Sequence, residues 1–83
     1  MNPEEKIAFL VEVTQMLNVM RPVLKYAPHE ITEGLANTWA RVLYEAHVNT
    51  PDVMPAAYEW MRCEREFPTP SDLLDVIEER RAR

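Results

Sequence analysis

Seven prolines and a single glycine restrict where this chain can form regular structure. Proline has no amide hydrogen and crowds the preceding turn, so a helix accepts it in the first turn but not in the interior. Asn2-Pro3, Asn49-Thr50-Pro51 and Thr69-Pro70 each place a helix-capping residue before a proline that can begin a helix. The prolines therefore predict a series of helices joined by short connectors.

The spacing of the apolar residues predicts four helices. Their expected bounds are residues 3–20, 31–47, 52–66 and 70–81. No window alternates as a strand would, and no hairpin signal is present. We therefore expect a single all-α domain over residues 1–83, a small bundle of three to four helices.

The first helix is apolar around much of its circumference. Its predicted core stripe is Ile7, Leu10, Val11, Thr14, Leu17 and Met20, and the residues that widen it on one side are Phe9, Val13 and Met16. Methionines commonly fill gaps in irregular cores. A bundle too small to bury every side of this helix would instead leave Phe9, Val13, Met16 and Met20 as a partner surface or a homodimer seam. Met16 and Met20 are therefore candidate partner-binding residues.

The second and third helices each carry one tryptophan on their apolar side. The inward residues of the second helix are predicted to be Ile31, Leu35, Trp39, Val42, Leu43 and Ala46, and those of the third Val53, Ala56, Ala57, Trp60, Met61 and Cys63. A tryptophan can also stack on a base or form a hot spot for a protein partner. The helical periodicity favours core positions, with Trp39 and Trp60 packed against each other or against the first helix.

The length of 83 residues leaves little interior to spare for a substrate pocket, since such pockets typically occupy roughly 300–1,000 Å³. His29, His47 and Cys63 are the candidate metal ligands, but they lack the paired spacing typical of zinc sites. Cys63 with a histidine could form a nucleophile and base, although no nearby residue suggests an orienting group or an oxyanion-binding turn. We expect no enzymatic activity, no metal and no cofactor.

The formal net charge of −5 disfavours direct binding to nucleic acid, because that affinity comes from Lys and Arg displacing counterions. A single cysteine cannot form an intramolecular disulfide, which favours a reducing compartment. No apolar run is long enough for a membrane span, and the first residues lack the positive flank of a signal peptide. We expect a cytoplasmic protein, in the host cytoplasm if a phage encodes it.

A cluster of basic residues, Arg80-Arg81-Ala82-Arg83, ends the sequence. Cations at a helix C-terminus oppose the helix macrodipole, and this effect alone accounts for their position. The same three guanidiniums could instead contact an acidic partner. Arg80, Arg81 and Arg83 are therefore candidate partner-binding residues as well.

The sequence from Trp39 to Ile77 carries a resemblance to a known family. It reads W-A-R-V-L, then a short turn, then A-A-Y-E-W-M, and finally F-P-T-P-S-D-L-L-D-V-I. These segments resemble the N-terminal helical domain of bacteriophage replicative-helicase loader and inhibitor proteins. In that family a tryptophan-bearing helix precedes an alanine-rich helix and a Phe-Pro-x-Pro turn, and the resemblance covers about half of the chain.

The resemblance implies a structural core and a partner. The matching core positions are Trp39, Leu43, Ala57, Phe67, Pro68 and Pro70. The family's helical domain is followed by a longer flexible segment that grips the host helicase, whereas this sequence ends soon after Ile77. We therefore expect any binding to use the surface of the bundle, with Arg80, Arg81 and Arg83 as a residual tail.

Three hypotheses for function follow. The preferred one is a non-enzymatic, phage-type adaptor that binds a DNA-replication protein, by resemblance the replicative helicase, to load or inhibit it. The second is an acidic inhibitor of a host nucleic-acid-binding or defence protein, in which acidic side chains imitate phosphates: Glu30, Glu33, Glu45, Glu59 and Glu64. The third is a self-associating structural module that uses the first helix.

Overall fold

The computed structural model describes residues 2–83, which form an all-α bundle. Over these residues the chain has four α-helices: α1 (Pro3–Met20), α2 (Glu33–Glu45), α3 (Thr50–Cys63) and α4 (Pro70–Arg81). The predicted fold class is confirmed. The bounds of α1 and α4 agree with those predicted, whereas α2 is shorter at both ends and α3 begins and ends earlier than predicted.

Capping boxes explain why α1 and α4 begin where the sequence predicts. The amide of Glu5 donates to Asn2 Oδ1 at 2.8 Å, and the amide of Asn2 donates back to Glu5 Oε2 at 3.3 Å. At α4 the amide of Asp72 donates to Thr69 Oγ1 at 3.2 Å, and the amide of Thr69 donates to Asp72 Oδ2 at 2.9 Å. Each pair satisfies backbone amides that have no partner inside the helix.

The start of α2 is set by Thr32 rather than by the predicted Ile31. The Oγ1 atom of Thr32 accepts a hydrogen bond from the amide of Leu35 at 3.1 Å, and Thr32 itself is extended. A residue that caps in this way lies outside the helix. Helix α2 therefore begins at Glu33, and Ile31 belongs to the connector.

The end of α2 is a Schellman motif centred on His47. This residue adopts a left-handed backbone conformation with φ of 62°. Its amide donates to the Tyr44 carbonyl at 3.0 Å, and the amide of Val48 donates to the Leu43 carbonyl at 3.1 Å. These two bonds are the pair that closes a helix in this motif. The prediction that the helix extends to His47 is therefore wrong.

Helix α3 begins two residues before the predicted position and ends three before it. At its start the amide of Asn49 donates to Asp52 Oδ2 at 3.2 Å. Beyond Cys63 the chain becomes extended and pairs with the α1–α2 connector, because the amide of Lys25 donates to the Arg65 carbonyl and the amide of Phe67 donates to the Lys25 carbonyl, each at 2.8 Å. This bridge takes residues 64–66 out of the helix.

The helices pack in the cyclic order α1, α2, α4, α3, since α1 contacts α2 and α3 while α4 contacts the same two helices. The Cα atoms span 35 × 33 × 16 Å, so the molecule is flat. Its smallest dimension corresponds to two layers of helices, whose axes usually lie about 8–10 Å apart. Within residues 2–83, no helix is both long enough and apolar enough to cross a membrane.

The core lies between the layers and receives residues from all four helices and two connectors. Its buried side chains are Phe9, Val13, Met16, Leu17, Met20, Leu24, Ala36, Trp39, Leu43, Val48, Val53, Ala56, Ala57, Leu73 and Ile77. Pro68 is also buried, while Phe67 and Pro70 are partly buried. The predicted core residues Trp39, Leu43 and Ala57 lie within it.

Helix α1 buries only part of its predicted core stripe, Leu17 and Met20, together with the three residues that were expected to widen it. Phe9, Val13 and Met16 are buried, whereas Ile7 is 63% exposed and Val11 is 52% exposed. The two sides are about equally apolar, so helical spacing alone could not choose between them. The structure corrects the assignment of Ile7 and Val11 to the core stripe.

Three other predicted core positions need correction. Trp60 is partly buried at the edge of the core, and its Nε1 atom donates to the Glu66 carbonyl at 2.7 Å. The ring of Trp39 lies edge-on to Phe67 with 6.3 Å between ring centroids, whereas one of the two predicted arrangements packed it against Trp60. Cys63 is exposed, because α3 ends there, and Val42 is 37% exposed.

Candidate functional site

A shallow groove separates α1 from α2 on one side of the bundle. Its floor is apolar because Phe9 and Leu10 face the small side chain of Ala40 and the ring of Tyr44. The groove has a volume of about 390 Å³. We call it the α1–α2 groove, and it is lined by Lys6, Phe9, Leu10, Asn37, Ala40, Arg41, Tyr44 and Glu45.

Aromatic contacts fix one wall of the groove. The ring of Tyr44 lies edge-on to Phe9, with 6.4 Å between the ring centroids. The Lys6 ammonium lies 5.5 Å from the centre of the Tyr44 ring, within the range of a cation–π interaction. Lys6 is thereby drawn to the edge of the groove.

An ion pair lies on the α2 side of the groove. Arg41 Nε is 3.1 Å from Glu45 Oε1, one helical turn along α2. The two side chains are 80% and 63% exposed. Exposed pairs of this kind contribute about 0.3–0.5 kcal/mol to helix stability, so the guanidinium can be recruited by another carboxylate at little cost.

The exposed side of α1 continues the apolar floor of the groove onto the surface. Ile7 lies one helical turn from both Leu10 and Val11, so the three side chains are neighbours on the helix. Leu10 is partly buried in the groove, while Ile7 and Val11 are more than half exposed. We call Ile7 and Val11 the α1 strip. By this helical spacing the α1 strip adjoins the α1–α2 groove at Leu10.

The C-terminal arginines are engaged with acids of the same chain. Arg81 Nη2 lies 2.8 Å from Asp52 Oδ2 and donates to the His47 carbonyl at 3.0 Å. Arg80 and Arg83 both contact Glu59 Oε1, at 3.4 and 3.1 Å. The three arginines therefore fasten α4 to α3 and to the α2–α3 turn. Partner binding by Arg80, Arg81 and Arg83 stays a prediction, and it would have to compete with these contacts.

Met16 and Met20 are not surface residues. Both are completely buried, on the side of α1 that packs against the rest of the bundle. The prediction that they bind a partner is wrong for this fold, because a partner could reach them only if α1 separated from the core. The apolar excess of α1 is carried by the α1 strip instead.

The side chains considered for chemistry are dispersed. Among residues 2–83, no three His, Cys, Asp or Glu side chains are placed to hold a metal ion together. His29 lies in the α1–α2 connector, His47 in the α2–α3 turn, and Cys63 at the end of α3. The predicted ligand candidates thus belong to three different parts of the chain.

The acids proposed as phosphate mimics are also spread over several elements. Two of the five are engaged: Glu45 with Arg41, and Glu59 with Arg80 and Arg83. Glu59 is only 12% exposed at its side chain. Glu30, Glu33 and Glu64 are exposed and lie before α2, at the start of α2 and after α3. This distribution gives the acidic-inhibitor hypothesis no single acidic face.

A second cleft, of about 420 Å³, lies between α3 and α4 and is lined mainly by charged residues. Three of its five acids have structural roles within the chain. Asp72 caps α4, Glu59 holds two arginines, and Glu79 lies 4.0 Å from Arg83. The α1–α2 groove is the better candidate site because Leu10 and Tyr44 leave part of their apolar surface exposed in it.

The sequence interpretation missed Lys6, Ala40 and Tyr44 as site residues. Ala40 and Tyr44 are spaced four residues apart on α2 and share a side of that helix. This spacing could have indicated a second, weaker apolar side next to the core stripe. Nothing in the sequence indicates that Lys6 faces Tyr44, because the contact depends on how α1 and α2 pack.

Comparisons with known proteins identify no relative of this chain. No protein-family model matches the chain, and neither a curated protein nor a solved structure matches it significantly.

Proposed function

We propose that this protein is a non-enzymatic adaptor that binds another protein through the α1 strip and the α1–α2 groove. The observation that carries the proposal is the exposure of Ile7 and Val11, at 63% and 52%, beside an apolar groove. Small domains seldom leave contiguous apolar surface uncovered unless it serves an interaction.

The composition of the interior supports a role without chemistry. Within residues 2–83, the side chains buried in the core are all hydrophobic, and none is polar or charged. Catalytic acids, bases and nucleophiles usually depend on burial or on a charged neighbour to tune them. The two histidines and the cysteine occupy different connectors and helix ends.

The partner we propose is a DNA-replication protein, and the replicative helicase is the first one to test. This part of the proposal rests on the resemblance of the segment from Trp39 to Ile77 to helicase loader and inhibitor proteins. Binding could either load the helicase or inhibit it, and both actions would use the same surface. We propose no cofactor for either action.

The test compares three forms of the tagged protein for binding to a purified hexameric replicative helicase. They are the wild type, the double variant Ile7→Glu/Val11→Glu, and the control Val23→Glu. Val23 is a matched control because it is 62% exposed and lies outside the α1 strip. We expect the wild type and the control to bind and the double variant to fail. Equal binding by all three would place the binding surface elsewhere, and no binding by any would refute the helicase as partner.

The same three proteins then distinguish the alternatives. A mass that rises with protein concentration for the wild type but not for the double variant would support the self-associating module. Recovery of a nuclease or repair protein from lysate, in competition with DNA, would favour the acidic inhibitor.

A further inference from the structure

The walls of the α1–α2 groove determine what kind of segment can enter it. Both walls are helices, whose interior amides and carbonyls are already paired within the helix. An added β-strand needs an exposed sheet edge, and the groove offers none. An occupant must therefore bind through its side chains, as an amphipathic helix does when it lies in an apolar groove.

The length of the groove limits how many apolar side chains of a bound helix can enter it. The lining residues of α2 run from Asn37 to Glu45, and at 1.5 Å per residue these positions extend about 12 Å. This distance is roughly two helical turns. An occupying helix can therefore place two or three apolar side chains at spacings of three or four residues over Leu10, Ala40 and Tyr44.

The charges on the rim favour an acidic occupant. The lining contains two cations, Lys6 and Arg41, and one anion, Glu45, so its formal charge is +1 in a chain whose net charge is −5. Within residues 2–83 Lys6 forms no ion pair, and its ammonium lies over the Tyr44 ring. The Arg41–Glu45 pair is exposed and can open at low cost.

We propose that the α1–α2 groove binds an amphipathic helix of a partner protein in which acidic residues flank the apolar stripe. Lys6 and Arg41 contact the carboxylates of the bound helix. The apolar stripe covers Leu10 and Tyr44 and extends over the α1 strip. This inference rests on the proposed function and specifies the chemistry of the partner.

The test uses a surface-displayed library of amphipathic helical peptides with a fixed leucine stripe. The flanking positions are randomised among Asp, Glu, Gln, Lys and Arg, so that enrichment reports the preferred charge. The affinity of the best peptide is then measured by fluorescence anisotropy against the wild type and Lys6→Glu/Arg41→Glu. The control is Lys25→Glu/Arg62→Glu, which makes the same charge change at exposed residues outside the groove.

We expect enrichment of Asp and Glu at the flanks, and a loss of affinity of about 10-fold or more in Lys6→Glu/Arg41→Glu but not in the control. Enrichment of basic or neutral flanks, no enrichment, or equal affinity for both variants would overturn the proposal. So would a dimer of the wild type that Lys6→Glu/Arg41→Glu dissociates, because the occupant would then be a second copy of this chain.

The two proposals can fail separately. If the helicase binds through the α1 strip but the library shows no acidic preference, the adaptor function stands and the inference about charge falls. If acidic peptides bind the groove but the helicase binds neither the wild type nor any variant, the inference about the groove is supported and the proposed partner is refuted.

Discussion

Arg81 of α4 holds the carboxylate of Asp52, in the first turn of α3, at 2.8 Å. The same Nη2 atom donates to the backbone carbonyl of His47 at 3.0 Å. Asp52 also accepts the amide of Asn49, so one carboxylate both caps α3 and binds α4. The α2–α3 turn is thereby tied to the far end of the chain.

Replacing Arg81 by alanine should lower the free energy of unfolding by about 1 kcal/mol, near the upper end for partly exposed pairs. Urea denaturation at low and high salt measures the change, and high salt should reduce the difference because it screens the pair. Arg62→Ala is the control, since Arg62 is exposed and forms no ion pair within residues 2–83. A loss as large in Arg62→Ala would show that the pair is not the cause.

The two tryptophans should differ in their contribution to stability. Trp39→Ala removes a ring that is 4% exposed and packs against Phe67, so we expect a loss of about 3–5 kcal/mol. Trp60→Phe keeps most of the ring contact but loses the hydrogen bond to Glu66, at a cost of about 1 kcal/mol. Denaturant unfolding of both variants measures these losses. Equal losses would contradict the placement of Trp60 at the edge of the core.

The orientation of α1 can be tested with one pair of substitutions. Met16→Ala empties a fully buried site and should cost about 2–5 kcal/mol. Ile7→Ala alters a side chain that is 63% exposed and should change stability by less than about 0.5 kcal/mol. Thermal unfolding followed by circular dichroism measures both. If Ile7→Ala proved the more damaging change, α1 would have to be rotated relative to this structure.

Gly34→Ala should stabilise the protein. Gly34 lies in the first turn of α2, and an added Cβ would meet no atom within 4 Å. Alanine also reduces the conformational freedom of the unfolded chain, which favours folding by about 0.4–1 kcal/mol at such sites. A higher melting temperature in calorimetry is the expected result. A lower melting temperature would contradict the helical conformation of Gly34 in the first turn of α2.

The starts of α1 and α4 were the most predictable part of the fold, because their caps act locally, whereas the predicted starts of α2 and α3 were each two residues away from the observed ones. Thr69, Pro70 and Asp72 are adjacent in the chain, and together they specify the start of α4 without help from the rest of the molecule. The same argument applies to Asn2 and Glu5 at α1. Local chemistry of this kind is fully visible in a sequence.

Other features depended on contacts between distant segments. The end of α3 is set by the pairing of Glu66 with Lys25, some forty positions earlier in the chain. No residue near the end of α3 predicts this pairing. His47 ends α2 in a left-handed conformation that is usually taken by glycine or asparagine, so its identity did not indicate a helix end.

The candidate site was the least predictable feature, and α1 shows why. Its apolar residues nearly surround the helix, so two different sides satisfy helical spacing. The choice between Val11 and Met16 is made by α2 and α3, which pack against α1. Sequence periodicity can therefore indicate that α1 has more apolar surface than the bundle can cover, but it cannot identify the uncovered side.

The flatness of the molecule links recognition to folding. In a body 16 Å thick, the α1 strip and the buried Val13 and Met16 lie on opposite sides of a single helix. A partner seated on the strip would convert α1 from an outer helix into an inner one, and would stabilise the fold in proportion to how tightly it binds. Complex formation should thus increase the protection of the α1 amides against hydrogen exchange. The exchange rate of these amides would then measure the fraction of the protein that is bound.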